Sequence, residues 1–223
     1  MSSSNVEDYL KTIYNLSADT DAASTSAIAE ALGVAAGSVT GMIKRLAEHG
    51  LVEHVPYYGA RLTDSGEQQA VVLIRRHRVL EMFLVQILGY TWDRVHEEAE
   101  RLEHAVSDEL VDRMAQVLGS PSADPHGAPI PASGETFVDR RYPTLDKLDV
   151  GCRAAVRRVR DEDPAALRYL AELNMTPGTE LTLTERGPFN GPLYVKVGDK
   201  QHIVSPELAQ SVQVETLRQS KRQ

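Results

Sequence analysis

Residues 27–52, AIAEALGVAAGSVTGMIKRLAEHGLV, decide the fold. Ser24 or Ser26 can cap a short helix over Ala27 to Leu32, which Gly33 breaks. After Val34-Ala35-Ala36-Gly37, Ser38 can start a second helix. It runs through Val39, Met42, Ile43 and Leu46 to His49 and stops at Gly50. Two helices on a tight Gly-containing turn make a helix-turn-helix. Upstream, Val6, Tyr9, Leu10, Ile13, Tyr14 and Leu16 recur at three- and four-residue spacing, a helix over Asn5 to Leu16. Residues 17–24 read as a small polar loop. Downstream, Leu51, Val52 and Val55, a turn at Tyr57-Tyr58-Gly59, then Ala60-Arg61-Leu62-Thr63 read as a two-stranded ribbon. Helix, helix-turn-helix and ribbon together make a winged helix. Such a fold lays the helix from Ser38 in a DNA major groove, with Ala35, Ala36, Gly37, Ser38, Thr40 and Gly41 toward base edges and backbone. Lys44, Arg45 and Arg61 are the phosphate anchors. The reading residues are small, so recognition leans on hydroxyls, methyl contacts and DNA shape. So few positive charges predict weak binding by one copy and require two, on a two-fold operator.

Thr63-Asp64-Ser65-Gly66 caps a long helix reaching about Leu88. From Val79 to Leu88 it is apolar nearly all round, and the surplus reads as a subunit interface. Within it His77 and Glu81 form an i,i+4 pair. Gly89 ends it, and Thr91 or Asp93 starts the next helix, which carries HEEAERLEH over 96–104. At about 100° per residue, His96, Glu100, Glu103 and His104 share one face beside an apolar stripe of Val95, Ala99, Leu102 and Val106. Two imidazoles and two carboxylates at the edge of an apolar face suit a divalent cation. The same spacing suits a solvated charged face with i,i+4 contacts. Asp8, on the first helix, reads as an acid near a helix N-terminus. Ser107 and Asp108 start a further helix to Gly119. Residues 120–134 are rich in Pro and Gly and cannot continue it, which marks a linker; His126 within it reads as solvated. From Thr144 the pattern changes. Val150 to Val159, Leu181 with Leu183, Leu193 to Val197, and Ile203 with Val204 are short strands, with helix starts at Asp163-Pro164 and Ser205-Pro206. They suggest a small, partly open β-barrel.

Composition narrows the classes. A chain of 223 residues suits one large domain or two smaller ones. A formal net charge of −8 argues against simple coating of nucleic acid. Residues 64–119 carry eleven acids against six bases and form the anionic segment, which holds the 96–104 cluster. No apolar run approaches a membrane span. One cysteine, Cys152, excludes an internal disulfide framework, fits the reducing cytoplasm and reads as a small buried apolar residue.

The matching pieces extend over nearly the whole chain. They are Tyr9-Leu10-x-x-Ile13-Tyr14, the Ile28-to-Val52 core, Leu62-Thr63-x-x-Gly66, Arg76-His77-Arg78-x-x-Glu81, and His96-x-Glu98-Ala99-x-x-x-Glu103-His104-x-x-Ser107-Asp108-Glu109. On these the chain resembles the diphtheria-toxin-repressor family of metal-dependent transcriptional regulators. Leu148-Asp149-Val150-Gly151 and Pro177-Gly178-Thr179-Glu180-Leu181 resemble the signature turns of the FeoA/SH3-like barrel appended to longer members. The resemblance implies one metal site at His77, Glu81 and His96, completed in some members from the barrel. It implies another at Asp8, Glu100, Glu103 and His104. Iron-type members carry Met at the position of Asp8 and Cys at that of Glu100. Carboxylates there harden the site toward Mn²⁺. Lys11 stands where manganese-type members carry a Glu ligand. Asp163, beside Glu162, best matches the acidic barrel ligand; the amide ligand's position falls on Ala166, which cannot coordinate.

The sequence thus predicts a mostly α chain with a small β domain: an N-terminal winged helix-turn-helix (1–66), a helical metal-binding and dimerisation domain (67–120), a Pro/Gly-rich linker (121–143) and an SH3-like β-barrel (144–216). The expected function is a Mn²⁺-responsive repressor of metal-uptake genes, not an enzyme. It would bind pseudo-palindromic operator DNA as a homodimer, without membrane or small organic substrate. Fe²⁺ is the alternative effector in vivo, and other divalent transition metals are expected to bind in vitro. A winged-helix regulator answering to an organic ligand is the rival class. A carboxylate-bridged iron enzyme would draw Glu-x-x-His from several helices, a pattern Glu100-x-x-Glu103-His104 matches only loosely.

Overall fold

The computed structural model describes residues 3–17, 20–55, 57–133 and 137–217. Parts of the expected 17–24 loop and of the 121–143 linker, at 18–19 and 134–136, lie outside them. The chain divides into two compact units: residues 1–77, 102–108 and 131–137, and residues 78–101, 109–130 and 138–223.

The first unit holds α1 (Ser3–Ser17), α2 (Thr25–Leu32), α3 (Ala36–Glu48), β1 (Val52–Val55), β2 (Gly59–Leu62) and the start of α4 (Asp64–Gln86). Ser24 caps α2 by accepting from Ala27 N, and Gly33 ends it in the left-handed conformation, φ +63°. Tyr9, Leu10 and Ile13 of α1 close a core with Ile28, Val39, Met42, Ile43, Leu46 and Val52. The wing is antiparallel, Val52 opposite Leu62. It ties back to the chain before α2 through Ala23 N to Ala60 O (2.8 Å) and Ala60 N to Ala23 O (2.9 Å). That close approach needs Gly59: a Cβ there would lie 1.9 Å from the Ala23 carbonyl oxygen. The winged helix read from 27–52 is present, with α3 starting two residues earlier than expected.

The second unit holds the end of α4, α5 (Val95–Leu102), α6 (Asp108–Val117), a 3-10 turn at Leu145–Lys147, β3 (Arg153–Val159), α7 (Pro164–Glu172), β4 (Glu180–Arg186), β5 (Leu193–Val197), β6 (Lys200–Val204), α8 (Pro206–Gln210) and β7 (Val212–Thr216). Its strands form one antiparallel sheet in the order β6-β5-β4-β3-β7. Val156, Leu167, Leu170, Met175, Leu183, Leu193, Val195 and Val212 build the core, and Trp92 and Cys152 pack on it, each only partly buried. Two sequence expectations change. The strand expected from Val150 starts at Arg153, because Gly151 takes φ +85° in a turn that bonds Leu183 O. The helix carrying 96–104 stops at Leu102, where Ala105 N bonds Leu102 O. No single helix among the described residues is long and apolar enough to cross a membrane.

Candidate metal centre

Two groups of imidazoles and carboxylates form, one in each unit. In the second unit, Glu81 of α4 is fully buried and meets side chains from three other segments. His96 Nδ1, from the first turn of α5, lies 3.3 Å from Glu81 Oε1 and 3.3 Å from Asp161 Oδ2. His126 Nδ1 lies 3.7 Å from Glu81 Oε2 and 3.8 Å from Asp161 Oδ2. Asp124 belongs to the same cluster, its donor atom within 4.8 Å of those of Glu81 and His126. His77, in the other unit by contacts, precedes Glu81 by one turn of α4.

His126 is the informative member. Its Nε2 donates to the Trp92 carbonyl at 2.7 Å, and its ring stacks on the Trp92 indole. A carbonyl only accepts, so the proton of a neutral ring sits on Nε2 and the lone pair on Nδ1. That lone pair points toward two carboxylates, and Nδ1 makes no hydrogen bond although buried. A lone pair facing carboxylates is repelled unless a positive charge stands there. It can be a proton on Nδ1 or a cation shared by all the donors. Electrostatics agree. Burial pulls the His126 imidazole down, but Glu81, then Asp161 and Asp124, outweigh it and hold it at about 9. Burial likewise opposes His96, and Asp161 and Glu81 raise it to about 10. Burial pushes Asp161 up, yet His96 beside it brings it down to about 2. Asp124 rises to about 6, through burial first and the Glu81 charge second. The site asks for positive charge, and its nitrogen and oxygen donors are those of a Mn²⁺ or Fe²⁺ site.

Local structure explains why these residues arrive together. Segment 122–130 is no solvated linker. It folds on itself through Asp124 N to Ala128 O and Ile130 N to Ser122 O, both 2.9 Å. Asp124 Oδ1 accepts from His126 N and Ala128 N. Val159 N then donates to His126 O, fixing the loop to β3. His126 is buried, contrary to the sequence expectation. Asp163 lies outside the candidate groups, and its Oδ1 caps α7, accepting from Ala165 N (2.8 Å) and Ala166 N (3.3 Å). Asp161, two residues earlier and before the helix begins, is the carboxylate that faces His96 and His126. The sequence reading placed neither Asp124 nor Asp161 in this cluster and put His126 in solvent. The signal for Asp124 and His126 was Asp124-Pro125-His126-Gly127, two ligand types offered by one tight turn.

In the first unit, His104 Nε2 lies 2.9 Å from Asp8 Oδ1 and 3.6 Å from Glu103 Oε1. His104 Nδ1 lies 2.7 Å from Glu7, a partner not expected from sequence. Glu103 is almost fully buried and meets His77 Nδ1 at 2.5 Å. Lys11 Nζ lies 2.9 Å from each of its oxygens. Burial raises the Glu103 carboxyl, but His77 and Lys11 outweigh it and hold it below the usual carboxylate range. Asp8, Glu103 and His104 can close on one ion. Glu100, exposed and in the second unit, lies one turn after His96, its Oε1 3.7 Å from His96 Nε2.

On α3 and the wing, Ala35, Ala36, Gly37, Ser38, Thr40, Gly41, Lys44, Arg45 and Arg61 are all exposed. Arg45 Nε donates to Gly41 O, and Arg61 pairs with Glu53 across the wing at 2.7 Å. A Cβ on Gly37 or Gly41 would meet nothing within 4 Å, so packing does not require glycine at either position.

The family profile described as "Iron dependent repressor, N-terminal DNA binding domain" matches residues 1–60. "Iron dependent repressor, metal binding and dimerisation domain" matches 63–132, and "FeoA domain" matches 144–216. The iron-dependent repressor IdeR of Mycobacterium tuberculosis is 30% identical over 221 residues, 94% of this chain and 96% of the relative. The diphtheria toxin repressor of Corynebacterium diphtheriae is 28% identical, over 95% and 96%. Among solved structures, a manganese-dependent transcriptional repressor in complex with manganese is 39% identical, with TM-score 0.87 over 95% of this chain and all of that one. ScaR with bound Cd²⁺ is 35% identical, with TM-score 0.82 over 96% of this chain and all of that one.

Proposed function

The chain belongs to the diphtheria-toxin-repressor family of metal-dependent transcriptional repressors, and from that premise we propose that it represses metal-uptake genes in the cytoplasm in response to Mn²⁺. It is a DNA-binding regulator and not an enzyme. The observation that carries the reading is His126 Nδ1, buried and facing Glu81 and Asp161 without a hydrogen bond. Glu81, His96, Asp124, His126 and Asp161 are the principal ligands, with His77 one turn before Glu81. Asp8, Glu103 and His104, with Glu100 one turn before His104 in sequence, are the second set. None is a cysteine or methionine. Hard donors favour Mn²⁺ or Fe²⁺ over thiophilic ions, and the manganese-dependent relatives favour Mn²⁺. Zn²⁺ and Cd²⁺ are expected to bind in vitro, as they do in ScaR.

The bound ion supplies a divalent charge that cancels the repulsion among clustered carboxylates and joins the segments that bear them. The chain's own residues set what that joining does. Glu81, His96, His126 and Asp161 fix α4, α5, the 122–130 loop and the end of β3 against each other. Asp8 does the same for α1, which packs against α2 of the DNA-binding unit. A conformer with these donors gathered binds metal better than one with them apart, which is the differential affinity a switch requires. The functional parts are 1–66 for DNA, 67–120 for metal and dimerisation, and 144–216 for the barrel. Segment 121–143 joins them and supplies ligands.

The operator is pseudo-palindromic double-stranded DNA read by a homodimer. Two exposed glycines in α3, each costing up to about 1 kcal/mol of helix stability, keep the face clear for close approach of a duplex. Lys44, Arg45 and Arg61 anchor phosphates. The dimer uses Ile87, Leu88, Tyr90, Leu110 and Val117, large apolar side chains exposed in the second unit. The test is an operator mobility shift with Mn²⁺, with Fe²⁺ under anaerobic conditions, and with a chelator. Tight binding only with Mn²⁺ or Fe²⁺ is expected, and equal affinity in chelator refutes metal control.

A further inference from the structure

Lys11 stands three residues after Asp8 on α1, one turn on and on the same face. Both point at the same small group. Asp8 meets His104 Nε2 at 2.9 Å, and that atom lies 3.6 Å from Glu103. Lys11 Nζ straddles Glu103 at 2.9 Å from each oxygen and lies 3.2 Å from His77 Nδ1. Glu103 is only 1% exposed, so its charge has little water to screen it. We infer that Lys11 is a tethered cation that competes with metal for Glu103, so that the Asp8, Glu103 and His104 set fills only after the Glu81, His96, His126 and Asp161 set. This rests on the metal reading above and ranks its two sites.

The argument is one of lone pairs and charge. An imidazole beside a carboxylate stays where it is when metal enters and becomes a ligand itself. An ammonium has three donors and no lone pair, so it cannot join a coordination shell. Here it takes both oxygens of Glu103, so it must give up at least one of them before that carboxylate serves a metal, and its charge is repelled by a divalent ion a few ångströms away. If Lys11 holds Glu103 about nine-tenths of the time, the site is competent about one-tenth of the time and binds about tenfold more weakly than its donors allow. Asp8 and Lys11 are alternative ties between α1 and the 103–104 turn. Lys11 makes the tie before the metal arrives, and Asp8 makes it through the metal afterwards. The second site thus adds a threshold at high metal, and α1 is never left loose.

The test is Mn²⁺ uptake by the full chain, with free Mn²⁺ read from its paramagnetic resonance signal and bound metal counted by elemental analysis. The unmodified protein is expected to show two classes, about tenfold or more apart. Lys11→Met should tighten the weaker class about tenfold and leave the tighter class in place. Glu103→Gln should abolish the weaker class only, and Asp161→Asn should weaken the tighter class only. Two equal classes or a single class in the unmodified protein overturns the inference, independently of how Lys11→Met folds. So does a folded Lys11→Met variant whose weaker class does not move. Absence of any Mn²⁺ uptake overturns the metal reading and this inference together.

Discussion

Asp161 and Asp163 stand two residues apart in an acidic run with Glu162, and they meet different partners. Asp161 faces the imidazoles of His96 and His126. Asp163 is spent on the amides of the first turn of α7. Sequence matching to a family cannot separate neighbours in such a run, because a slip of two residues leaves the composition unchanged. The separation comes from where β3 ends and where α7, with Pro164 in its first turn, begins. Asp161→Asn should weaken Mn²⁺ binding by roughly tenfold or more, since one charged donor is lost from a buried set. Asp163→Ala should leave Mn²⁺ affinity unchanged and cost about 1 kcal/mol for a lost cap. In a chain of this size that is a fall of about 2–4 °C in melting temperature. Calorimetric Mn²⁺ titration beside a thermal melt reads both. A loss of metal affinity in Asp163→Ala would restore Asp163 as a ligand and refute the assignment of Asp161.

At the scale of elements, helices and strands were largely legible and the 122–130 loop was not. α1, α3 and α4 announce themselves through apolar spacing, Ser24 and Gly33 mark the ends of α2, and Gly50 follows α3. The strands after residue 150 show alternation and turn residues. The loop has neither period nor alternation. Its order comes from an Asp side chain capping two amides and from backbone bonds that no hydropathy pattern encodes. Gly127 is the residue that makes this loop possible. It takes φ +89°, and a Cβ there would lie 2.0 Å from the Arg157 carbonyl oxygen. Gly127→Ala should push the loop off β3, costing about 1–3 kcal/mol through the clash, and move His126 with it. Mn²⁺ affinity should then fall although every ligand is still present. Chemical denaturation checks the first effect and Mn²⁺ titration the second. A destabilised variant with unchanged affinity would show that His126 does not depend on this loop for its position.

At the scale of the whole molecule, metal binding and DNA binding make separate demands. The proposed principal ligands all come from one chain, so each protomer is expected to bind metal by itself. Operator binding needs more. One α3 offers small residues and few cations, so a single half-site contact is expected to be weak, and the proposed homodimer would supply the affinity through two copies held at a fixed spacing. In the proposed dimer the face that holds them is made by Ile87 and Leu88, just after α4, with Leu110 and Val117 of α6; of these, the sequence pointed only to the run ending at Leu88. Ile87 and Leu88 are about half exposed in the single chain, where burying two such side chains against a partner would add several kcal/mol to association. Replacing both with Glu sets like charges facing each other across a two-fold axis. The variant should sediment as a monomer and keep its tighter class of Mn²⁺ sites. It should lose operator affinity by about 10²-fold or more, because the second half-site no longer benefits from effective concentration. Sedimentation, Mn²⁺ titration and mobility shift on one preparation separate the outcomes. A variant that stays dimeric would place the interface elsewhere, and a monomer that still binds the full operator tightly would remove the need for two copies.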